Sequence, residues 1–100
     1  MEKHTPHRKL SQVKALVSSG LVRATASAYL GALELGIENM AGMCTLVLSL
    51  TSANFYKSMT THADHRIWQD VYHAQLSTGQ SVYLKLTVID DVLIVSFKEL

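Results

Sequence analysis

The chain carries little of what staples, breaks or anchors a fold. Its one cysteine, Cys44, has no partner for an intrachain disulfide. A lone thiol without clustered ligands is also a poor zinc site, so Cys44 is expected to be a small, buried structural side chain. One proline and five glycines in 100 residues leave no interdomain linker, and neither repeats nor low-complexity tracts occur. No apolar run approaches membrane-spanning length. Met1 to Lys9 is polar and basic with no apolar stretch behind it, so no secretory signal is expected and the cytoplasm is the default location. G-x-G-x-x-G, P-loop, G-x-S-x-G and C-x-x-C are all missing. Nucleotide-dependent transfer, serine hydrolysis and dithiol redox chemistry therefore lack their usual parts.

What is present suits one folded domain over residues 1–100, with 48% hydrophobic and 17% charged residues and room for a single core. Leu10, Val13, Leu16 and Val17 recur at helical spacing until Ser18-Ser19-Gly20 closes the element. A second helix is predicted from about Thr25 to Gly36, carried by Ala28, Tyr29, Leu30, Leu33 and Leu35, with Gly36 as C-cap. Met40 to Leu50 fits both a helical stripe and a buried strand, and is read as a helix. From Phe55 the period becomes two. Phe55 to Thr61 and Ile67 to His73 are predicted strands, followed by a hairpin from Val82 to Leu100. Helices first and strands after predict an α+β fold, its N-terminal helices packed on one face of a mainly antiparallel C-terminal sheet and the other face free for a ligand.

The hairpin carries the first sign of chemistry. Leu84, Leu86 and Val88 alternate with Tyr83, Lys85 and Thr87 on one arm; Leu93, Val95 and Phe97 alternate with Val92, Ile94, Ser96 and Lys98 on the other. A two-residue turn at Asp90-Asp91 sets Leu86 opposite Val95, Leu84 opposite Phe97 and Tyr83 opposite Lys98. A phenol paired with an ammonium on a polar surface is suited to meeting a phosphate. In the preceding strands Lys57 shares a side with Phe55 and Met59, and Gln69 with Ile67 and Val71, while Trp68 and Tyr72 take the other. A snorkelling edge lysine and a hydrogen-bonded core amide explain these two as readily as a site does. His62 and His65 flank Asp64 in an H-x-x-H spacing, but without a cysteine or an H-E-x-x-H pattern they read as a polar connection, and no metal site is expected. His4, His7 and His73 show no specific pattern. Lys3, Arg8, Lys9, Lys14 and Arg23 face only Glu2 in the first quarter of a chain of net charge +1, a local bias that suits either a polyanion such as RNA or a solvated helix face.

M-E-K-x-T-P-H at the start, L-S-Q-V-K from Leu10, G-M-C from Gly42, F-Y-K-S-M-T-T from Phe55, I-W-Q-D-V-Y from Ile67 and D-V-L-I-V-S-F-K-E from Asp91 together resemble the MqsR family, the motility quorum-sensing regulator toxins. The likeness spans nearly the whole chain. It implies a fold like that of the RelE and YoeB toxins and the toxin role in a type II toxin–antitoxin system. The implied activity is that of an mRNA interferase, an endoribonuclease that cuts mRNA at GC-containing sites without the ribosome and so inhibits translation. It also implies a partner, a zinc-binding and DNA-binding MqsA-like antitoxin, through which alone the toxin meets DNA. The family's active residues carry over as Lys57 from F-Y-K-S-M, Gln69 from I-W-Q-D-V-Y, Tyr83 from the V-Y-L-K strand and Lys98 from S-F-K-E. Tyr83 and Lys98 are also the pair that the hairpin register sets together, whereas Lys57 and Gln69 rest on the resemblance. Ala41 before Gly42 and Ser81 between Gln80 and Val82 depart from the pattern. An extra residue at Ser81 either lengthens a loop or bulges the strand and turns Tyr83 to the other face. The unbroken alternation from Val82 to Ile89 predicts the loop.

These residues suit a transesterification that needs neither metal nor cofactor, in which the RNA 2′-OH attacks its own phosphate to leave a 2′,3′-cyclic phosphate and a 5′-OH. Lys57 and Lys98 then stabilise the phosphorane, Tyr83 donates to the leaving oxygen or holds the phosphate, and Gln69 positions phosphate or base. A lysine of depressed pKa is one candidate for the general base. The competing reading is a non-catalytic RNA-binding or regulatory module that uses the same surface. A third is a structural protein whose sheet edge receives another strand.

Overall fold

Leu10, Val13, Leu16 and Val17 line one face of helix α1 (Leu10–Ser18), with Val13 and Val17 fully in the core of a computed structural model that describes residues 1–100. The helix stops where Gly20 takes a φ of 79°, the Leu21 and Gly20 N–H groups turning back to the carbonyls of Leu16 and Val17. Helix α2 (Ala26–Glu34) closes in the same way at Gly36, φ 83°, with the Ile37 and Gly36 N–H groups on Ala32 and Leu33. Glycine adopts this left-handed geometry without strain, so both helices end where the sequence supplies it. Their starts are capped by side chains. Thr25 Oγ1 accepts from the Ala28 N–H at 3.1 Å, and Asn39 Oδ1 accepts from the Gly42 N–H at 2.9 Å to open α3 (Met40–Ser49). The ambiguous third segment is therefore helical, and Ala41 lies in its first turn.

The strands β1 (Glu2–Lys3), β2 (Val22–Ala24), β3 (Phe55–Thr60), β4 (Trp68–Gln75), β5 (Ser81–Ile89) and β6 (Asp91–Glu99) form one sheet in the order β1-β3-β4-β5-β6-β2. Every neighbouring pair is antiparallel except β2 on β6. On one face Tyr72, Val82, Leu84, Leu86, Val92, Ile94 and Phe97 pack against Val13, Ala28, Ala32, Met43 and Val47 from the helices, all buried. Each buried Val, Leu, Ile or Phe contributes about 1.5–3 kcal/mol by transfer from water, so this single layer is the main source of stability. Cys44 packs half-buried against it, and that burial pushes its thiol pKa up. The fold is α+β, helices on one side of a mainly antiparallel sheet and the opposite side open. Asp70, 2% exposed, accepts from the His7 and Arg8 backbone N–H groups at 3.0 and 3.1 Å, which ties the N-terminal segment to β4 and supports the pairing of β1 with β3.

Two bulges decide which side chains reach the open face. In β3, Phe55 pairs with Tyr72 and Lys57 with Val71, leaving Tyr56 as an extra residue. Phe55 turns inward, edge-on to the Tyr72 ring at 5.6 Å, while Lys57 and Met59 come out on the other side. Simple alternation had put all three together; the inserted residue breaks the phase. In the hairpin, Tyr83 pairs with Lys98, Leu84 with Phe97 and Lys85 with Ser96 as the sequence predicts, but Leu86 pairs with Ile94 instead of Val95. The turn is tighter to match. Ile89 pairs with Asp91, and Asp90 alone makes the bend at φ 67°. Val92 and Ile94 therefore fill the core, where Leu93 and Val95 were expected. Helix α2 supplies the reason. The Thr25 N–H bonds to the Ile94 carbonyl at 3.0 Å and its hydroxyl donates to the Val95 carbonyl at 2.8 Å, so the residue that caps α2 also satisfies the bulge. Ser81 opens β5 opposite Gln75 and the β4–β5 register is unbroken, so the extra residue lengthens the connection and Tyr83 keeps its face.

Candidate active site

Strand register arranges the candidate residues in rows across the open face. Tyr83 and Lys98 are directly opposite, with the Lys98 ammonium 5.2 Å from the centre of the Tyr83 ring. On its other side Tyr83 pairs with His73, ring centres 6.0 Å apart, and Tyr56 stacks flat on His73 at 4.1 Å and 17°. One row thus reads Tyr56, His73, Tyr83, Lys98. The next reads Lys57, Val71, Lys85, Ser96, and Gln69 stands in the row beyond, beside Met59. The fold puts Lys57, Tyr83 and Lys98 on one face, Tyr83 and Lys98 as a pair and Lys57 in the next row on β3, three strands from Lys98 or about 14 Å at the strand spacing. Gln69 is one row further on, four residues along β4 from His73, about 13 Å at the strand rise.

Every charged side chain in the first two rows is a lysine. Glu2 reaches in from β1 at the sheet edge, and its carboxylate accepts from the Lys57 ammonium at 2.6 Å. That hydrogen bond, with the charge attraction behind it, holds Glu2 below the usual carboxylate range and raises Lys57 above an ordinary lysine. Lys57 is therefore a fixed cation, and a lysine of depressed pKa is not found at this position. The chain's three ion pairs are Arg23–Asp91, Lys57–Glu2 and Arg66–Asp64, which leaves Lys85 and Lys98 without an acidic partner. Such a surface offers cations and a phenol to an anion from outside. Lys98 is held from behind as well: a Cβ built on Gly31 of α2 would lie 1.9 Å from the Phe97 carbonyl oxygen, so the helix rests directly on this stretch of β6.

Three residues of this face carried no assignment from the sequence. His73 shares its side with Gln69 and Val71, a parity that points to the open face, but nothing in the sequence marked that face as the site. Tyr56 is placed there by the bulge, which leaves no sequence signal. Lys85 was visible as the neighbour of Tyr83 on the same face. The other candidates have structural roles. Asp64 is engaged by Arg66 and by Thr61 in the turn before β4, and no group of three His, Cys, Asp or Glu side chains able to hold a metal occurs. Arg23 grips Asp91 through two bonds of 2.7 and 3.1 Å, and Lys3 lies 4.2 Å over the Trp68 ring, on which His7 also stacks. No helix is long and apolar enough to cross a membrane.

The chain is 64% identical over 99 residues, 99% of both chains, to the mRNA interferase toxin MqsR of Escherichia coli (strain K12). Residues 5–99 match the family described as motility quorum-sensing regulator, toxin of MqsA. On both grounds the chain belongs to the family of the motility quorum-sensing regulator toxins.

Proposed function

We propose that this protein is an mRNA interferase, the toxin of a type II toxin–antitoxin pair, cutting mRNA in the cytoplasm at GC-containing sites without ribosome or metal ion. The observation that carries this reading is the 64% identity, over 99% of both chains, to a protein of that name. The open face is the proposed location of that activity. An RNA strand laid across it meets Lys57, Lys85 and Lys98 with Tyr83 between them. The 2′-OH attacks the adjacent phosphorus and releases its proton to solvent, the bond to the 5′ oxygen breaks as that oxygen takes up a proton, and the products carry a 2′,3′-cyclic phosphate and a 5′-OH. Lys57 and Lys98 stabilise the non-bridging oxygens as their charge grows, an effect worth roughly 2–4 kcal/mol for each well-placed donor. Tyr83 acts as a donor to the phosphate or the leaving oxygen through its phenol O–H. Gln69, further along the face, has an amide that cannot move protons and instead positions the strand.

An active nuclease of this kind must be held in check, and the family's own description pairs it with MqsA. An MqsA-like antitoxin is therefore the proposed partner, and DNA is met only through it. Substitution of Lys98 by alanine separates a nuclease from a binding module. A loss of cleavage much larger than the loss of RNA affinity assigns Lys98 to the transition state; equal losses would mean that the face only binds.

A further inference from the structure

His73 has no part in the site described so far, yet it stands in the same row, between Tyr56 and Tyr83. We infer that His73 is a phosphate ligand for the RNA strand, holding the backbone beside the scissile phosphate as the strand leaves Tyr83 and Lys98. This rests on the nuclease reading above and names a further contact of the same site. Tyr56 lies parallel to the imidazole at 4.1 Å, which covers one ring face and fixes the plane, so the nitrogens point out along the ring edge. The His73 imidazole makes no hydrogen bond within the chain, while the residue's backbone carbonyl accepts from Asn54 Nδ2 at 3.2 Å. Beside it opens a cleft lined by Ala74 and Leu100 and by Ser49, Asn54, His73, Gln75 and Ser81, the last five with hydrogen-bonding side chains of the kind that contact ribose and phosphate. The titratable groups around His73 are Tyr56 and Lys57 from β3, Tyr83 and Lys85 from β5 and Lys98 from β6. Three are cations, so a phosphate drawn in by the lysines arrives within reach of the imidazole edge, whose ring N–H can donate to it.

The test is binding of a single-stranded GC-containing RNA made uncleavable by 2′-deoxy substitution at the cut site, measured across salt, beside cleavage of the all-ribose strand. His73→Ala should bind about fivefold more weakly than wild type, the scale of one partly exposed polar contact. His73→Arg should restore the affinity and steepen the salt slope by about 0.7, the value for one phosphate contact on single-stranded nucleic acid. In cleavage the His73→Ala loss should fall on KM, as a loss of uniform binding does. Unchanged affinity in His73→Ala, or His73→Arg with the salt slope of wild type, overturns the proposal. So does a large kcat loss in both variants, which would make the imidazole a proton-transfer group instead. Failure of wild type to cleave the ribose strand counts against the nuclease reading alone, because the binding measurements still report on His73.

Discussion

Replacing Gly31 by alanine sets two effects of opposite sign against each other. In an exposed helix the change stabilises by about 1 kcal/mol, because alanine loses less backbone freedom than glycine on folding. Here the new methyl would lie 1.9 Å from the Phe97 carbonyl oxygen, 3.0 Å from its carbon and 3.3 Å from Lys98 Cβ. The obstacle is sheet backbone, which cannot rotate away. To reach ordinary contact α2 must lift by about 1.5 Å, drawing Ala28 and Ala32 off β6. Overpacking a tight core costs about 1–3 kcal/mol before any loss of the contacts along the helix. Strain wins, and a net destabilisation of about 2 kcal/mol is expected, or roughly 8–16 °C in Tm for a domain of this size. Urea unfolding followed by circular dichroism measures it. Because the lifted helix no longer backs the strand that carries Lys98, cleavage should fall further than the unfolded fraction explains. A Gly31→Ala protein as stable as wild type would refute the close packing of α2 on β6.

Tyr72 has a buried hydroxyl with no hydrogen-bond partner, and burial raises its pKa to about 12. Its folded-state pKa is above the unfolded value near 10, so stability is intact below pH 10 and declines as pH rises toward 12, by up to about 2–3 kcal/mol. Tyr72→Phe should leave neutral-pH stability unchanged or raise it by up to about 1 kcal/mol, and should remove that alkaline loss in urea titrations at pH 9 and 11. Asp70→Ala strips two buried, charge-assisted hydrogen bonds from the N-terminal segment. A loss of about 2–4 kcal/mol is expected, with faster amide exchange at His7 and Arg8. Glu2→Gln releases the Lys57 ammonium from a competing carboxylate, so KM for RNA should fall at neutral pH with kcat little changed. The wild-type protein should show the same gain only under acid, because Lys57 holds the Glu2 carboxyl below its usual range; a higher KM in Glu2→Gln would instead make the pair a support for Lys57.

The order of helices and strands and the pairing of Tyr83 with Lys98 were legible because alternation and helical spacing are local signals. The pairing nevertheless came out for an incomplete reason. A two-residue turn was expected at Asp90-Asp91; the real bend is one residue shorter, and the bulge at Val95 restores the register before Lys98 is reached. Neither feature is visible locally, since Thr25, about seventy positions away, satisfies the bulge. The same limit hid the split between Phe55 and Lys57, where one inserted residue turns an apolar ring inward and sends the next two side chains out. The edge strands β1 and β2 are too short for a period to register, and they form only because β3 and β6 are there to pair with. Lys57 and Gln69 were named through resemblance, and the fold sets both on the open face, in the two rows next to that of Tyr83.

The most direct measurement is cleavage of a GC-containing single-stranded RNA by the purified protein in EDTA, without ribosomes, with the product ends mapped. Discrete cuts that leave 2′,3′-cyclic phosphate and 5′-OH ends, lost in Lys98→Ala and reduced in Tyr83→Phe, are the predicted result. A folded wild-type protein that leaves the RNA intact, or cuts it only when a divalent metal is restored, would contradict the lysine-driven chemistry of the open face.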